Sequence, residues 1–141
     1  MSFLIDTCVV SELARTQPDP GVLRWLDGQA EESLFLSVLS LGELEKGAAK
    51  VRDVARRRSL LRWIRNDLQR RFVDRLLPVD AFVASRWGAL CGEAERTGRQ
   101  LPVIDSLLAA TALVHSQLVV TRNVADFEAC GAACLDPWLA R

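Results

Sequence analysis

Four acidic residues of this chain sit against apolar runs. Asp6 follows Phe3-Leu4-Ile5, Glu43 lies inside Leu39-Ser40-Leu41-Gly42-Glu43-Leu44, Asp105 follows Val103-Ile104, and Asp126 precedes Phe127. A carboxylate is costly to desolvate unless it is paired or bound to a metal, so four such positions point to a shared cation. Mg2+ and Mn2+ prefer hard oxygen ligands and often keep several waters, so a few carboxylates drawn from different elements suffice to hold one or two ions. Such ions activate water and stabilise in-line phosphoryl transfer, which makes a metal-dependent nuclease the leading expectation.

Each of these residues also has a plainer reading. Asp105, placed before an apolar helix, could be a helix N-cap, favoured there by backbone donors and the dipole. Glu43 could be a solvated helix residue. Thr7 and Ser11 either assist near Asp6 or cap a helix, and Thr121 either points into a site or ends a strand.

Other chemistries fit the sequence less well. His115 is the single histidine, set at the end of an apolar helix where a cation suits the carbonyl dipole, and no context around Cys8 or the serines supports a Cys-His or Ser-His nucleophile. Cys8, Cys91, Cys130 and Cys134 are too scattered for a zinc framework. A phosphatase using Asp6 as nucleophile would want a second aspartate two residues later, where Cys8 stands.

The elements that must position these acids alternate in type. Phe3 to Ile5 reads as a buried strand and Thr7 to Arg15 as a helix, placing Asp6 at a strand-to-helix turn. Asp19-Pro20 opens a second helix that Gly28 ends. Leu34 to Ser37 reads as a strand, and Val38 to Val51 as a helix carrying Glu43. Residues 53 to 75 are dense in arginine but keep Leu60, Leu61, Ile64, Leu68 and Phe72, which predicts a long basic amphipathic helix or helical pair. Residues 76 to 79 read as a short strand, and Asp80 caps a helix running to Gly98. Leu107 to His115 reads as an apolar helix, Leu118 to Thr121 as a strand with Asp126 in the loop after it, and Ala132 to Leu135 as a last short strand. Strands alternating with helices imply an α/β architecture with a parallel sheet covered on both faces, where ligands bind beyond the carboxyl ends of strands.

The chain's 141 residues, half of them hydrophobic, are expected to form one domain, residues 1–141, with a sizeable core. Its 18 basic and 18 acidic side chains balance overall but not locally. Residues 46 to 75 hold eleven Lys or Arg against Asp53, Asp67 and Asp74, so a polyanion could dock there while an acidic pocket elsewhere holds cations. RNA and a protein partner compete as the reading of the Arg56-Arg57-Arg58 run. Trp25, Trp63, Trp87 and Trp138 fall with other apolar residues on helix faces, which favours packing over base stacking. The start lacks a basic leader and no apolar stretch approaches the ~20 residues of a membrane span, so a cytoplasmic protein with reduced thiols is expected.

Four blocks, taken in order, carry a resemblance that spans nearly the whole chain. They are Leu4-Ile5-Asp6-Thr7-Cys8-Val9-Val10-Ser11-Glu12, Leu41-Gly42-Glu43-Leu44, Ile104-Asp105-Ser106-Leu107-Leu108-Ala109-Ala110-Thr111-Ala112, and Thr121-Arg122-Asn123-Val124-Ala125-Asp126-Phe127. Together they resemble the PIN-domain family, and within it the VapC-type toxins of bacterial toxin-antitoxin pairs, including the FitB-like branch. The resemblance implies a three-layer α/β/α fold with a mostly parallel central sheet and a Mg2+- or Mn2+-dependent ribonuclease. It also implies a homodimer held inactive by a small VapB-type antitoxin. By motif position, Asp6, Glu43 and Asp105 would form an acidic triad with Asp126 as the fourth acid, all four being candidate catalytic and metal-binding residues. Asn123 stands where some relatives place an acid, and Cys8 where many have Asn, which puts a hydrogen bond near Asp6 in question. The alternative is a non-catalytic PIN-like module acting through an antitoxin on DNA.

Overall fold

Three short strands that are buried on both faces, Phe3–Ile5 (β1), Leu34–Ser37 (β2) and Leu118–Val120 (β4), form the centre of the molecule in a computed structural model describing residues 1–139. Leu76–Leu77 (β3) and Cys134–Leu135 (β5) add the edges. The sheet order is β3-β2-β1-β4-β5 and every pairing is parallel, with Phe3 opposite Leu34 and Leu118, and Ile5 opposite Val120. The chain therefore winds outward from β1 in one direction through β2 and β3, then in the other through β4 and β5. The switch point falls between β1 and β4, where open α/β sheets form a crevice at their carboxyl ends.

Alternation of side chains along the strands splits the core into two layers. Phe3, Ile5, Leu34, Leu36 and Val120 face one side. They pack on Thr7–Glu12 (α1), Pro20–Asp27 (α2), Val38–Ala49 (α3) and the segment holding Leu68 and Phe72. Phe3 meets Trp25 edge to face, ring centroids 5.0 Å apart. Leu4 and Val119 face the other side, against Leu108, Ala109 and Ala112 of Val103–Val114 (α7) and Phe127 of Val124–Glu128 (α8). Ala81–Arg96 (α6) adds Leu90 to this layer. The three-layer α/β/α expectation holds, and the sheet is parallel throughout.

Local chemistry accounts for the helix starts. Asp19 Oδ1 accepts from the Gly21 and Val22 amides with Pro20 as the first helical residue, Ser37 Oγ accepts from Leu39, and Asp80 Oδ1 accepts from Val83. Gly98, at φ +82°, turns the chain after α6 in a conformation that other residues adopt at a cost.

Several boundaries differ from the sequence reading. The first helix ends at Glu12 rather than Arg15, because the next three amides bond three residues back and the buried Glu12 carboxylate draws in the Asp19 amide and Arg15. Asp105 is not an N-cap: α7 starts at Val103, with Pro102 before it, and Asp105 lies within the first turn. Asp126 is not in a loop but on α8, whose Phe127 is fully buried. The basic stretch runs as Val54–Arg62 (α4), a π-helical segment Trp63–Leu68, and Gln69–Arg71 (α5). Its apolar residues recur every four positions, a stripe that would drift about 40° per step on an α-helix; the wider π turn returns Ile64 and Leu68 to the core.

The four tryptophans are half-buried, so the exposed apolar surface belongs instead to residues such as Phe82, Val73 and Val103. Among the described residues no helix is long and apolar enough to cross a membrane.

Candidate functional site

Asp6 stands at the carboxyl end of β1, on the switch point, and is 4 % exposed. Its backbone amide donates to Val120 of the neighbouring strand. Its carboxylate is held from two sides. Oδ1 accepts from the Thr7 amide at 2.7 Å, capping α1, while Oδ2 accepts from Thr121 Oγ1 at 2.7 Å and from Cys8 Sγ at 3.4 Å. Thr121 is itself fully buried and accepts the Asn123 amide at 2.9 Å, so both roles of its hydroxyl are used. It directly follows β4 and points into the site. Cys8 supplies the hydrogen bond to Asp6 that its place in the motif had put in question, and burial beside Asp6 pushes its thiol up to about 11.

Glu43 reaches the same region from α3. Its Oε1 accepts from Thr7 Oγ1 at 2.6 Å, and Thr7 Oγ1 lies 2.9 Å from the buried Ser40 Oγ. Thr7 thus touches both acids, through its amide to Asp6 and its hydroxyl to Glu43. Ser40 escaped sequence reasoning. A hydroxyl one turn before an acid, inside an apolar helix, is the signal that could have found it.

Asp105 enters from the first turn of α7. Ser106, next to it, accepts from Trp87 Nε1 at 2.9 Å and donates to Val103 O at 2.9 Å, which ties this turn to α6. Burial, joined by the charges of Asp6, Asp126 and Glu43, raises the Asp105 carboxyl to about 6. All four acids therefore share one electrostatic neighbourhood. Asp126 is exposed on α8, and the Asn123 backbone amide donates to Thr121 at the start of that helix.

Among the described residues none of the four acids forms an ion pair. Burial first, and then repulsion from the other three acids, lift the Asp105 carboxyl to about 6, and the repulsive part is what a bound cation would relieve. The donors are hard oxygens, suited to Mg2+ or Mn2+. Among the described residues no three acidic, histidine or cysteine side chains draw together into a ready coordination cluster. Mg2+ needs no closed protein cage, since it can rest on one or two carboxylates and complete its octahedron with water.

Two clefts open beside Glu43. One, of about 280 Å3, runs between α1, α3 and α4, with Leu44, Leu60, Trp63 and Ile64 as apolar walls and Thr7 and Glu43 at its acidic end. The other, of about 500 Å3, lies on the α3 surface toward Ile104.

The PIN domain model matches residues 3–130. The chain is 33% identical to the VapC ribonuclease Y4jK of Sinorhizobium fredii over 135 residues, covering 96% of each. It is also 33% identical to the toxin FitB of Neisseria gonorrhoeae, covering 96% of this chain and 97% of that one. Among solved structures, FitAcB from Neisseria gonorrhoeae superposes with a TM-score of 0.90 at 33% identity, over 97% of this chain and 99% of that one.

Proposed function

Since this chain belongs to the PIN-domain family, we propose that it is a Mg2+- or Mn2+-dependent endoribonuclease, the toxin of a toxin-antitoxin pair, with Asp6, Glu43, Asp105 and Asp126 as its working acids. The observation that carries this reading is the Asp105 carboxyl, raised to about 6 partly by the other three. Four acids from the end of β1, α3, α7 and α8 are brought within electrostatic reach at a sheet switch point, and among the described residues none of them is in an ion pair. An RNA phosphodiester is the substrate class that the relatives' name, VapC ribonuclease, suggests.

Asp6 and Asp105 are the strongest ligands for the ion. A divalent cation held there supplies a charge that polarises attacking water and the scissile phosphate. The chain's own part is orientation. Thr121 and the Thr7 amide fix both oxygens of Asp6, so its carboxylate does not reorganise as charge develops. Thr7 holds Glu43 with the same residue that holds Asp6, coupling their positions. Burial of Asp6 keeps bulk water from screening the interaction.

The 280 Å3 groove supports a small antitoxin as partner. Its apolar walls fit the apolar face of a helix, and its end at Thr7 and Glu43 would receive a basic side chain competing with the metal. Exposed Phe82 and Val103 supply apolar surface for a second copy of the chain. The non-catalytic alternative, action through an antitoxin on DNA, draws support from a relative's structure, FitAB bound to a DNA fragment, at 32% identity and a TM-score of 0.89. Retention of all four acids favours the enzyme.

Expression of the chain tests this reading. Growth should stop, and Asp6→Asn or Asp105→Asn, made at equal level, should restore it. Undiminished arrest by either variant would remove the acids from the mechanism.

A further inference from the structure

The eleven basic residues between positions 46 and 75 are not equivalent. Arg57 donates to Val51 O at 2.9 Å, closing the turn between α3 and α4. Arg56 reaches Ala14 O and lines the apolar groove. Arg65 pairs with Glu45 at 2.8 Å, and Arg71 and Arg75 both pair with Glu31. These five side chains are already engaged in holding the fold or bordering the groove.

Lys46 and Lys50 differ in three ways. Both are exposed and make no ion pair among the described residues. Both line the 500 Å3 cleft whose wall also includes Glu43, and Ile104, the neighbour of Asp105. They follow Glu43 at positions i+3 and i+7, on one helical face, with their Cα atoms separated by about 6 Å along the axis. Charge in this cleft thus passes from an acid of the site to two cations leading away from it, a spacing suited to neighbouring phosphates of an extended strand.

Glycine adds a second observation. Gly42 and Gly47 stand inside α3 and line the same cleft, yet a Cβ at either would meet nothing within 4 Å. Each costs the helix about 1 kcal/mol relative to alanine, and no packing inside the chain calls for it. Gly88 and Gly92 of α6 stand in open space too, so what sets Gly42 and Gly47 apart is their place beside Lys46 and Lys50, where the bare helix backbone leaves room for a strand to approach.

We propose that the cleft formed by Gly42, Lys46, Gly47, Lys50 and Ile104 is the path by which single-stranded RNA leaves the acidic site, with Lys46 and Lys50 contacting consecutive phosphates. This rests on the ribonuclease reading for its substrate. It also divides the basic segment: Lys46 and Lys50 serve RNA, whereas Arg56 serves the groove.

Binding of a labelled single-stranded RNA oligonucleotide to the full chain in chelator, followed against salt, tests the path independently of cleavage. Lys46→Gln/Lys50→Gln should weaken binding roughly tenfold or more near 0.1 M salt and lower the slope of log K against log salt by about 1.4. Arg58→Gln/Arg70→Gln, which removes the same charge from exposed positions outside the cleft, should change either quantity far less. Gly42→Ala should weaken binding without lowering the melting temperature. Where cleavage is measured, KM should rise in the lysine variant with kcat nearly unchanged. Equal losses in the two double variants, a wild-type slope in the lysine variant, or no RNA binding by the wild type would overturn the path. RNA binding with this pattern but no cleavage in Mn2+ would leave the path standing and defeat the ribonuclease reading instead.

Discussion

Thr121 Oγ1 and Asp6 Oδ2 meet at 2.7 Å across 115 residues of sequence, joining the carboxyl ends of β4 and β1. The bond is buried, and its donor also accepts the amide that starts the turn into α8. One hydroxyl therefore aims an acid of β1 and shapes the segment that carries Asp126.

Thr121→Val removes this hydroxyl at nearly constant volume. It should cost about 1–3 kcal/mol, because the Asn123 amide and Asp6 Oδ2 both lose a partner. Turnover should fall with little change in KM, and Thr121→Ser should recover most of both losses. A valine variant with full turnover would assign Thr121 a purely structural role.

Asp105 makes stability depend on pH in a direction opposite to most paired acids. Its carboxyl is raised from 3.8 to about 6 in the folded chain, so the folded state holds the proton more tightly than the unfolded one between those values. Stability is lost as pH rises through that window, and the loss is complete above about pH 6. Asp105→Asn should therefore melt higher in chelator at pH 7, by about 3 °C once solvent screening of this half-exposed group is allowed for. The gain should vanish below about pH 4. A variant that gains nothing over the wild type at pH 7 would show that neither burial nor the neighbouring acids raise Asp105.

Metal linkage reads the same neighbourhood from the other side. Mn2+ at a hundred times its dissociation constant should stabilise the wild type by about 2.7 kcal/mol. The shift in melting temperature should shrink sharply in Asp6→Asn. An undiminished shift in that variant would locate metal binding away from Asp6.

Leu60 tests the apolar groove separately from the acids. It lines the groove wall and is only half-buried, so Leu60→Lys should leave the fold and RNA cleavage in place while repelling an apolar helix. Co-expression with a small antitoxin, where one that rescues the wild type is encoded beside this chain, should then fail to restore growth. Restored growth would place that partner elsewhere.

The sheet is legible in the sequence because Phe3-Leu4-Ile5, Leu34-Phe35-Leu36 and Leu118-Val119-Val120 are short apolar runs ended by polar or turn residues, the pattern of strands buried on both faces. Asp19-Pro20 and Asp80 announce their helices by local capping chemistry. Boundaries set by long-range contacts are not legible. Glu12 ends α1 by drawing in the Asp19 amide, and no periodicity encodes that. Asp105 looked like a cap because Leu101 to Ile104 is apolar throughout, which hides where α7 begins. The candidate acids stand out by their apolar neighbours and their motif blocks, whereas Ser40 and the Thr7 bridge are visible only with α3 laid against α1. The charge count over residues 46 to 75 showed a basic segment but not which side chains are already occupied, since Glu31 and Glu45 reach them from outside or beyond its edge.

Cleavage of a single-stranded RNA by the purified chain, first in chelator and then with Mn2+ titrated in, tests the central claim most directly. The account predicts no cleavage in chelator, cleavage that rises and saturates with Mn2+, and none at any Mn2+ concentration for Asp6→Asn or Asp105→Asn of native fold. Cleavage in chelator, or metal-dependent cleavage that persists in either variant, would contradict it.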